Sequence, residues 1–271
     1  SEGVFLQRRR SSVARMLGNE TVKGLLVTWA NWGTLVAALA VLAVFYLFVQ
    51  FLIGAGRLVP ALYAPTLLGF SAYALAYMVS LKAVAGTLEE MNAGTLEQMH
   101  LSPLPSWALS LGRLAAAVIE AVGLTALVSA GLILVLGIDI SYRIDALVPL
   151  TLTILDVAGF GLLLGALAIR VASIGAILHV MQGVVLLLNG SFVPVSLFPS
   201  GLQVVSRLLP TTLGVEVGRR ILLQGWSLSA VWSDHSLLWL LIHSCAMLVL
   251  GAFFYQRSIV GALHEGRLGP R

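Results

Sequence analysis

The sequence predicts an all-α membrane protein of six transmembrane helices, and three observations predict it. Hydrophobic residues make up 59% of the 271 residues and charged residues only 10%, against roughly 45–50% and about 25% in a soluble globular chain. The mean hydropathy is +0.97. The apolar residues come in long unbroken runs rather than alternating, which excludes an outer-membrane barrel. With 16 Lys and Arg and 12 Asp and Glu, a soluble globule of this length could not cover itself. The net charge of +4 does not point to nucleic acid, because the basic residues lie at the ends of apolar runs, where membrane topology places them.

The charges punctuate the spans. Between Lys23 and Arg57 lie 33 uncharged residues, and between Arg57 and Lys82 lie 24. About 20 apolar residues cross the hydrocarbon core as a helix. Span 1 is therefore expected at 33–55 and span 2 at 58–81. Span 3 is expected at 114–137 and span 4 at 146–169, closed by Arg170. The 36 uncharged residues between Arg170 and Arg207 are too many for one span and too few for two with a loop. They read as span 5 at 174–192, followed by an apolar segment broken by Pro194, Pro199 and Pro210. Span 6 is expected at 236–255. The N-terminus is too polar for a cleavable signal. Spans 1–3 and 4–6 show no self-similarity, which counts against an inverted-repeat transporter.

Six spans put both termini on one side. An inside N-terminus places 11 basic residues inside and 5 outside, so the positive-inside rule predicts cytoplasmic termini. Residues 12–31 repeat apolar side chains at helical spacing, with Arg15, Asn19, Glu20 and Lys23 between them. This is the pattern of an amphipathic helix lying on the cytoplasmic membrane surface.

The stretch 82–113 is expected to be a cytoplasmic connection. Glu89 and Glu90 continue span 2, Gly94 permits a turn, and Thr95 with Gln98 three residues later fits a capping box. Pro103 and Pro105 end this short second helix. Glu89, Glu90 and Glu97 give it an acidic face for a partner's basic side chains. The apolar, proline-broken stretch from Asn189 to Pro210 cannot be a loop in water. It reads as short re-entrant helices covered by protein at the outer surface. The sequon Asn189-Gly190-Ser191 is read as chance in this setting.

The chain carries no phosphate-cradling Gly-x-x-x-x-Gly-Lys-Ser/Thr, no His-Glu-x-x-His, no Cys/His cluster and no Gly-x-Ser-x-Gly elbow. No catalytic residue and no metal ligand set is expected. Cys245, within an apolar run, reads as a small buried hydrophobe. Glu120 in span 3 and Asp156 in span 4 are intramembrane carboxyls that must face a neighbouring helix or a cavity. They fit either interhelical packing or the relay of a proton-coupled secondary transporter. Gly159, Gly161 and Gly165 allow close helix contact. Phe45 and Phe48 in span 1, Tyr73 and Tyr77 in span 2, and Asn189 and Phe192 after span 5 are candidates for an apolar substrate path.

These features together resemble the membrane subunit of a type-2 ATP-binding-cassette exporter, in the branch of bacterial drug-resistance and polysaccharide permeases. The amphipathic N-terminal segment, Glu90-x-x-x-Gly94-Thr95-Leu96-Glu97 after span 2, and Ser102-Pro103 with Trp107 through Arg113 carry the resemblance. So do the three prolines after span 5, followed by Glu216 and Arg219-Arg220, and the six spans. One departure is Met91-Asn92, where the family often carries an arginine.

The resemblance implies an ATP-driven pump in the bacterial plasma membrane with no cofactor of its own, ATP and Mg being bound by a separate ATPase subunit. It implies two permease copies, a homodimer, above two ATPase copies. It also implies that Glu89, Glu90, Gly94, Thr95, Leu96, Glu97 and Gln98 form the coupling element, with Arg15 at a second contact. The domain division expected is an interface segment at 1–32, one six-helix domain at 33–257 and a cytoplasmic tail at 258–271. Within the domain, 82–113 is the coupling loop and 193–220 the outer re-entrant segment. A drug-like, lipid or glycolipid substrate, as in multidrug efflux, fits the few charges in the spans.

Overall fold

The computed structural model describes residues 15, 18–19, 21–27, 29–92, 106–171 and 173–264. Among these residues every regular element is a helix and no strand occurs. The helices are α1 (Trp32–Ile53), α2 (Pro60–Asn92), α3 (Ser106–Leu136), α4 (Leu147–Arg170) and α5 (Ile174–Leu188). After them come α6 (Ser200–Leu208), α7 (Thr212–Leu222), α8 (Leu228–Ser233) and α9 (Ser236–His264). Single 3-10 turns precede α4 at Ile144–Ala146 and α6 at Val195–Leu197. Residues 21–27 are also helical.

Among the described residues five helices are long and apolar enough to cross a membrane: α1, α2, α3, α4 with its preceding turn, and α9. The expected span 5 is shorter than its sequence run. α5 stops at Leu188 after 15 residues, about 22 Å of helix against a core of about 30 Å. The cause is local. Gly190 takes φ +82°, and the Asn189 side-chain oxygen accepts the Ser191 amide at 2.9 Å. These two residues turn the chain back. In the other direction, α2 runs 33 residues, about 50 Å, so it extends well past residue 81.

Cross-helix contacts fix the directions. Tyr46 on α1 donates to the Tyr63 carbonyl on α2 at 2.9 Å, and Ser71 on α2 bonds Ser129 on α3 at 2.8 Å. Gln182 on α5 donates to the Tyr77 carbonyl at 3.3 Å. α1, α3 and α5 thus run against α2, α4 and α9. Both described chain ends fall at the same end of the bundle, called here the near end. The turn at 54–59 and the segment 189–235 lie at the far end.

α4 is the most deeply buried span. It is wedged between α2 and α9, with small residues on both faces. Gly159 meets the α9 backbone at Met247 and Leu248, Gly161 meets Val79 of α2, and Gly165 meets both Tyr255 and Thr87. The outward faces of α1, α3 and α9 stay apolar, as at Val44, Leu127 and Val249, which is what lipid contact requires. Exposed Trp29 and Trp32 ring the near end, and exposed Tyr142, Trp226, Trp232 and Trp239 ring the far end, the usual place for interfacial aromatics. Cys245 is exposed on α9, contrary to the buried position expected, because it falls on the outer stripe of a helix that buries only one face.

Candidate functional site

Among the described residues, the near end holds two ion pairs that cross from α2 to α3. Lys82 and Glu90 lie eight positions apart on α2, so both project from the same side of the helix. On antiparallel α3, Arg113 and Glu120 match them in reverse order. Lys82 pairs with Glu120, and Glu90 pairs with Arg113. These two rungs brace the extension of α2 against α3. Beside them is a cavity of about 40 Å³ lined by Thr87, Ser110 and Tyr255 among others, room for two or three waters. Arg170 at the end of α4 donates to the Ser258 hydroxyl of α9 at 2.9 Å. The N-terminal helical residues reach the same place. Thr21 donates to the Gly112 carbonyl at 3.2 Å, and a Cβ on Gly24 would lie 2.8 Å from that of Ala116.

This arrangement changes the reading of the acidic face. Glu89 is exposed, but Glu90 is buried against Arg113. Neighbouring helix positions point about 100° apart, so the two glutamates cannot share one surface. Arg15 is helical and exposed. Gly94, Thr95, Leu96, Glu97 and Gln98 lie outside the described residues.

The Glu90–Arg113 rung has a measurable weight. Glu90→Lys is expected to destabilise the purified protein by about 2 kcal/mol, between the values for exposed and buried pairs because Arg113 is partly exposed. The double change Glu90→Lys with Arg113→Glu is expected to recover more than half of that loss in a thermal melt. A double variant no better than the single one would contradict the pairing.

The candidate path residues do not converge. Phe45 is 6.0 Å from Phe70 between ring centroids, Phe70 is 6.1 Å from Tyr73, and Tyr73 is 6.0 Å from Tyr77. These rings form a packed column between α1 and α2, with Tyr73 buried. Phe48 is exposed on the outer face of α1. Asn189 is fully buried and acts as a joint. Its amide donates to the Gly69 carbonyl at 3.2 Å and lies 3.4 Å from the Thr211 hydroxyl. Phe192 is half-buried beside it.

The segment from Asn189 to Leu222 folds into the far end. Ser206 on α6 donates to the Leu188 carbonyl at 2.7 Å. Arg219 on α7 donates to the Pro65 carbonyl of α2 from two nitrogens, at 3.1 and 2.6 Å, and to the Ser191 carbonyl at 3.1 Å. Irregular backbone is thereby covered and hydrogen-bonded by protein, as membrane depth demands. Burial pushes the nearby Glu216 carboxyl above its usual range, while Arg207, Arg220 and Arg219 pull it back.

Glu120 and Asp156 are both partnered. Glu120 takes Lys82. Asp156, fully buried on α4, lies 3.1 Å from Nδ1 of His243 on α9. The other nitrogen of that ring, Nε2, is 3.3 Å from the Leu208 carbonyl at the end of α6. Among the described residues no three His, Cys, Asp or Glu side chains converge as a metal would require.

The family model described as ABC-2 type transporter matches residues 20–223. The chain belongs to that family. It is a multi-pass membrane permease component of an ABC-2 type transporter, a class that generally pairs with ATPase subunits carrying the catalysis. A comparison with curated proteins finds no match. The matched range takes in the near-end rungs and the seat of α7. In this ABC-2 permease the sequence gives no partner for Lys82, Arg113, Arg219 or His243, because each partner lies on another helix and no fixed spacing announces it.

Proposed function

We propose that the permease is the moving wall of an ATP-driven exporter whose fuel is hydrolysed by a separate ATPase chain, present in two copies beneath two copies of this chain. The observation that carries this reading is the long α2, whose 33 residues exceed the roughly 20 that a bilayer core needs and whose end is cross-braced to α3 beside the N-terminal helical residues. A braced lever is what a push from below needs, since a loose connection would absorb the stroke. The near end is then cytoplasmic. The connection 82–113 couples to the ATPase, residues 1–32 hold the membrane surface, and 193–220 form an outer re-entrant lid. Glu89, Gly94, Thr95, Leu96, Glu97 and Gln98 meet the ATPase, with Arg15 at a second contact. Glu90 serves the same coupling from inside, by locking the lever to α3.

ATP then biases two packings of the spans differently, swinging α1, α2 and α5 between inward- and outward-open states. The substrate fitting an apolar wall is a drug-like, lipid or glycolipid amphiphile, moved out of the cytoplasm or the inner leaflet of a bacterial plasma membrane. The small number of charges in the spans supports an apolar route rather than a hydrophilic channel.

The test is co-purification with an ATPase carrying a Walker motif, followed by vesicle ATPase and transport assays across amphiphiles. Glu97→Lys is expected to leave insertion intact and to cut transport at least about tenfold, as loss of one charge-paired docking contact does, while hydrolysis continues. Unchanged transport in that variant, or nucleotide-free translocation by this chain alone, overturns the reading. The second outcome would favour a proton-coupled carrier instead.

A further inference from the structure

We propose that Asp156 and His243 form a proton-binding site inside the membrane, and that its occupancy decides whether the end of α6 is held in the far end of the bundle. The inference goes beyond export and does not depend on it. Both nitrogens of one imidazole face oxygen: Nδ1 the Asp156 carboxyl at 3.1 Å, Nε2 the Leu208 carbonyl at 3.3 Å. A backbone carbonyl can only accept, so the bond to Leu208 needs a hydrogen on Nε2. The bond to Asp156 needs one more hydrogen, on either the ring or the carboxyl. Two titratable protons therefore complete both bonds, and with two the pair is neutral overall, whichever group carries the shared one.

The surroundings favour that neutral form. Asp156 is fully buried and its other oxygen, Oδ1, has no hydrogen-bond partner among the described residues. A net charge left there would be costly in the bilayer interior. Removing one proton has two consequences. It leaves a net negative charge, and it sets two lone pairs against each other on one side of the ring. The carboxylate keeps the remaining ring hydrogen, because a charged acceptor makes the stronger bond. The hydrogen bond that breaks is therefore the one to Leu208, the last residue of α6.

Other charges do not take over the site. Among the described residues Asp156 is the one charged group acting on the His243 ring. On the packed helices, Arg207 of α6 and Arg219 and Arg220 of α7 act on Glu216. Lys82 with Glu120, and Glu90 with Arg113, pair at the near end, where Arg170 holds Ser258 and Glu89 and Arg257 are exposed. Arg143 with Asp145, and Arg220 with Asp234, pair at the far end beside His235. His179 is exposed on α5.

The test uses the full chain in lipid nanodiscs, without nucleotide or partner, so its outcome is separate from that of the export reading. The native thiol is removed by Cys245→Ser. Ser206→Cys places a thiol at a fully buried position of α6, and Tyr142→Cys, in a second sample, gives an exposed reference at the far end. The ratio of the two maleimide labelling rates is followed from about pH 5 to about pH 9, which cancels ordinary thiol ionisation. The ratio is expected to rise about tenfold per pH unit while the held form dominates, because the open form has one proton fewer. Asp156→Asn supplies the shared hydrogen permanently from its amide, so its ratio stays at the low-pH level throughout. His243→Ala cannot reach Leu208, so its ratio is high at every pH. A wild-type ratio that stays flat overturns the proposal on its own. So does an Asp156→Asn protein that follows the wild-type curve. Should that variant not purify as a single species, a His243→Ala ratio that still titrates like wild type overturns the proposal equally.

Discussion

Gly159→Ala is expected to be among the most damaging single-methyl changes available in this chain. A Cβ at 159 would lie 2.4 Å from the Met247 carbonyl carbon and 2.5 Å from the Leu248 nitrogen, and one at Gly251 would lie 2.3 Å from the Gly159 carbonyl oxygen. All of these are backbone atoms, which cannot rotate away, so α4 and α9 must separate. That separation loosens the Asp156–His243 pair within one turn above and the Gly165–Tyr255 approach two turns below. Overpacking of this kind costs about 3 kcal/mol, which corresponds to a fall of roughly 6–12 °C in the melting midpoint of a purified chain this size. Gly131→Ala on α3 is the control. Nothing lies within 4 Å of its added methyl, and alanine is the better helix former, so its midpoint should hold or rise slightly. Because Gly159 and Gly251 form one contact seen from two sides, the double alanine variant should lose little more than either single one. Equal melting of the Gly159 and Gly131 variants would remove α4–α9 packing as the keystone of the fold.

The same approach of two helices shows what a single sequence can and cannot yield. Span positions are legible because charge is expensive in lipid: Arg57 falls between α1 and α2 and Arg170 closes α4, whereas α2 and α3 run on as helix past Lys82 and Arg113. α1 and α4 start and stop within about two residues of their expected bounds, within the usual uncertainty of helix ends. The close approach of α4 to its neighbours is also legible, in Gly159, Gly161 and Gly165, though which glycine faces which helix is not. Span 5 is expected too long because hydropathy does not register a turn, and the apolar run continues through Asn189 into the far-end segment. Glu90 misleads for a different reason. A glutamate at the end of a span looks solvent-facing until the antiparallel neighbour places Arg113 across from it. His243 shows the limit most plainly, since a lone histidine in an apolar run gains meaning only from residues 87 positions earlier and 35 positions earlier.

Arg219→Met should be nearly as costly as the glycine change, for the opposite physical reason. Methionine keeps an apolar stem of similar reach but removes the guanidinium, and with it three hydrogen bonds to the carbonyls of Pro65 and Ser191. Carbonyls left without donors at membrane depth find no water to replace them, and the loss is expected to reach about 2–4 kcal/mol. Arg219→Lys tests whether charge or geometry matters. An ammonium is a point donor that cannot span two carbonyls as the planar fork does, so lysine should recover less than half of the loss. The deficit of the methionine variant should also depend on pH. Arg219 is one of three arginines that oppose the burial-driven rise of the Glu216 carboxyl. Without it the folded protein holds the Glu216 proton more tightly than the unfolded chain does, and a group whose folded-state affinity for protons is raised loses stability as pH rises. Below the already raised folded-state value of the wild type both proteins keep the Glu216 proton and lose stability alike, so the gap between wild type and Arg219→Met should widen only as pH rises past that value. The lysine variant, still cationic, should show a smaller widening. A gap that stays constant across that range would mean that Arg219 holds the segment through its hydrogen bonds alone and that Glu216 takes no part in seating it.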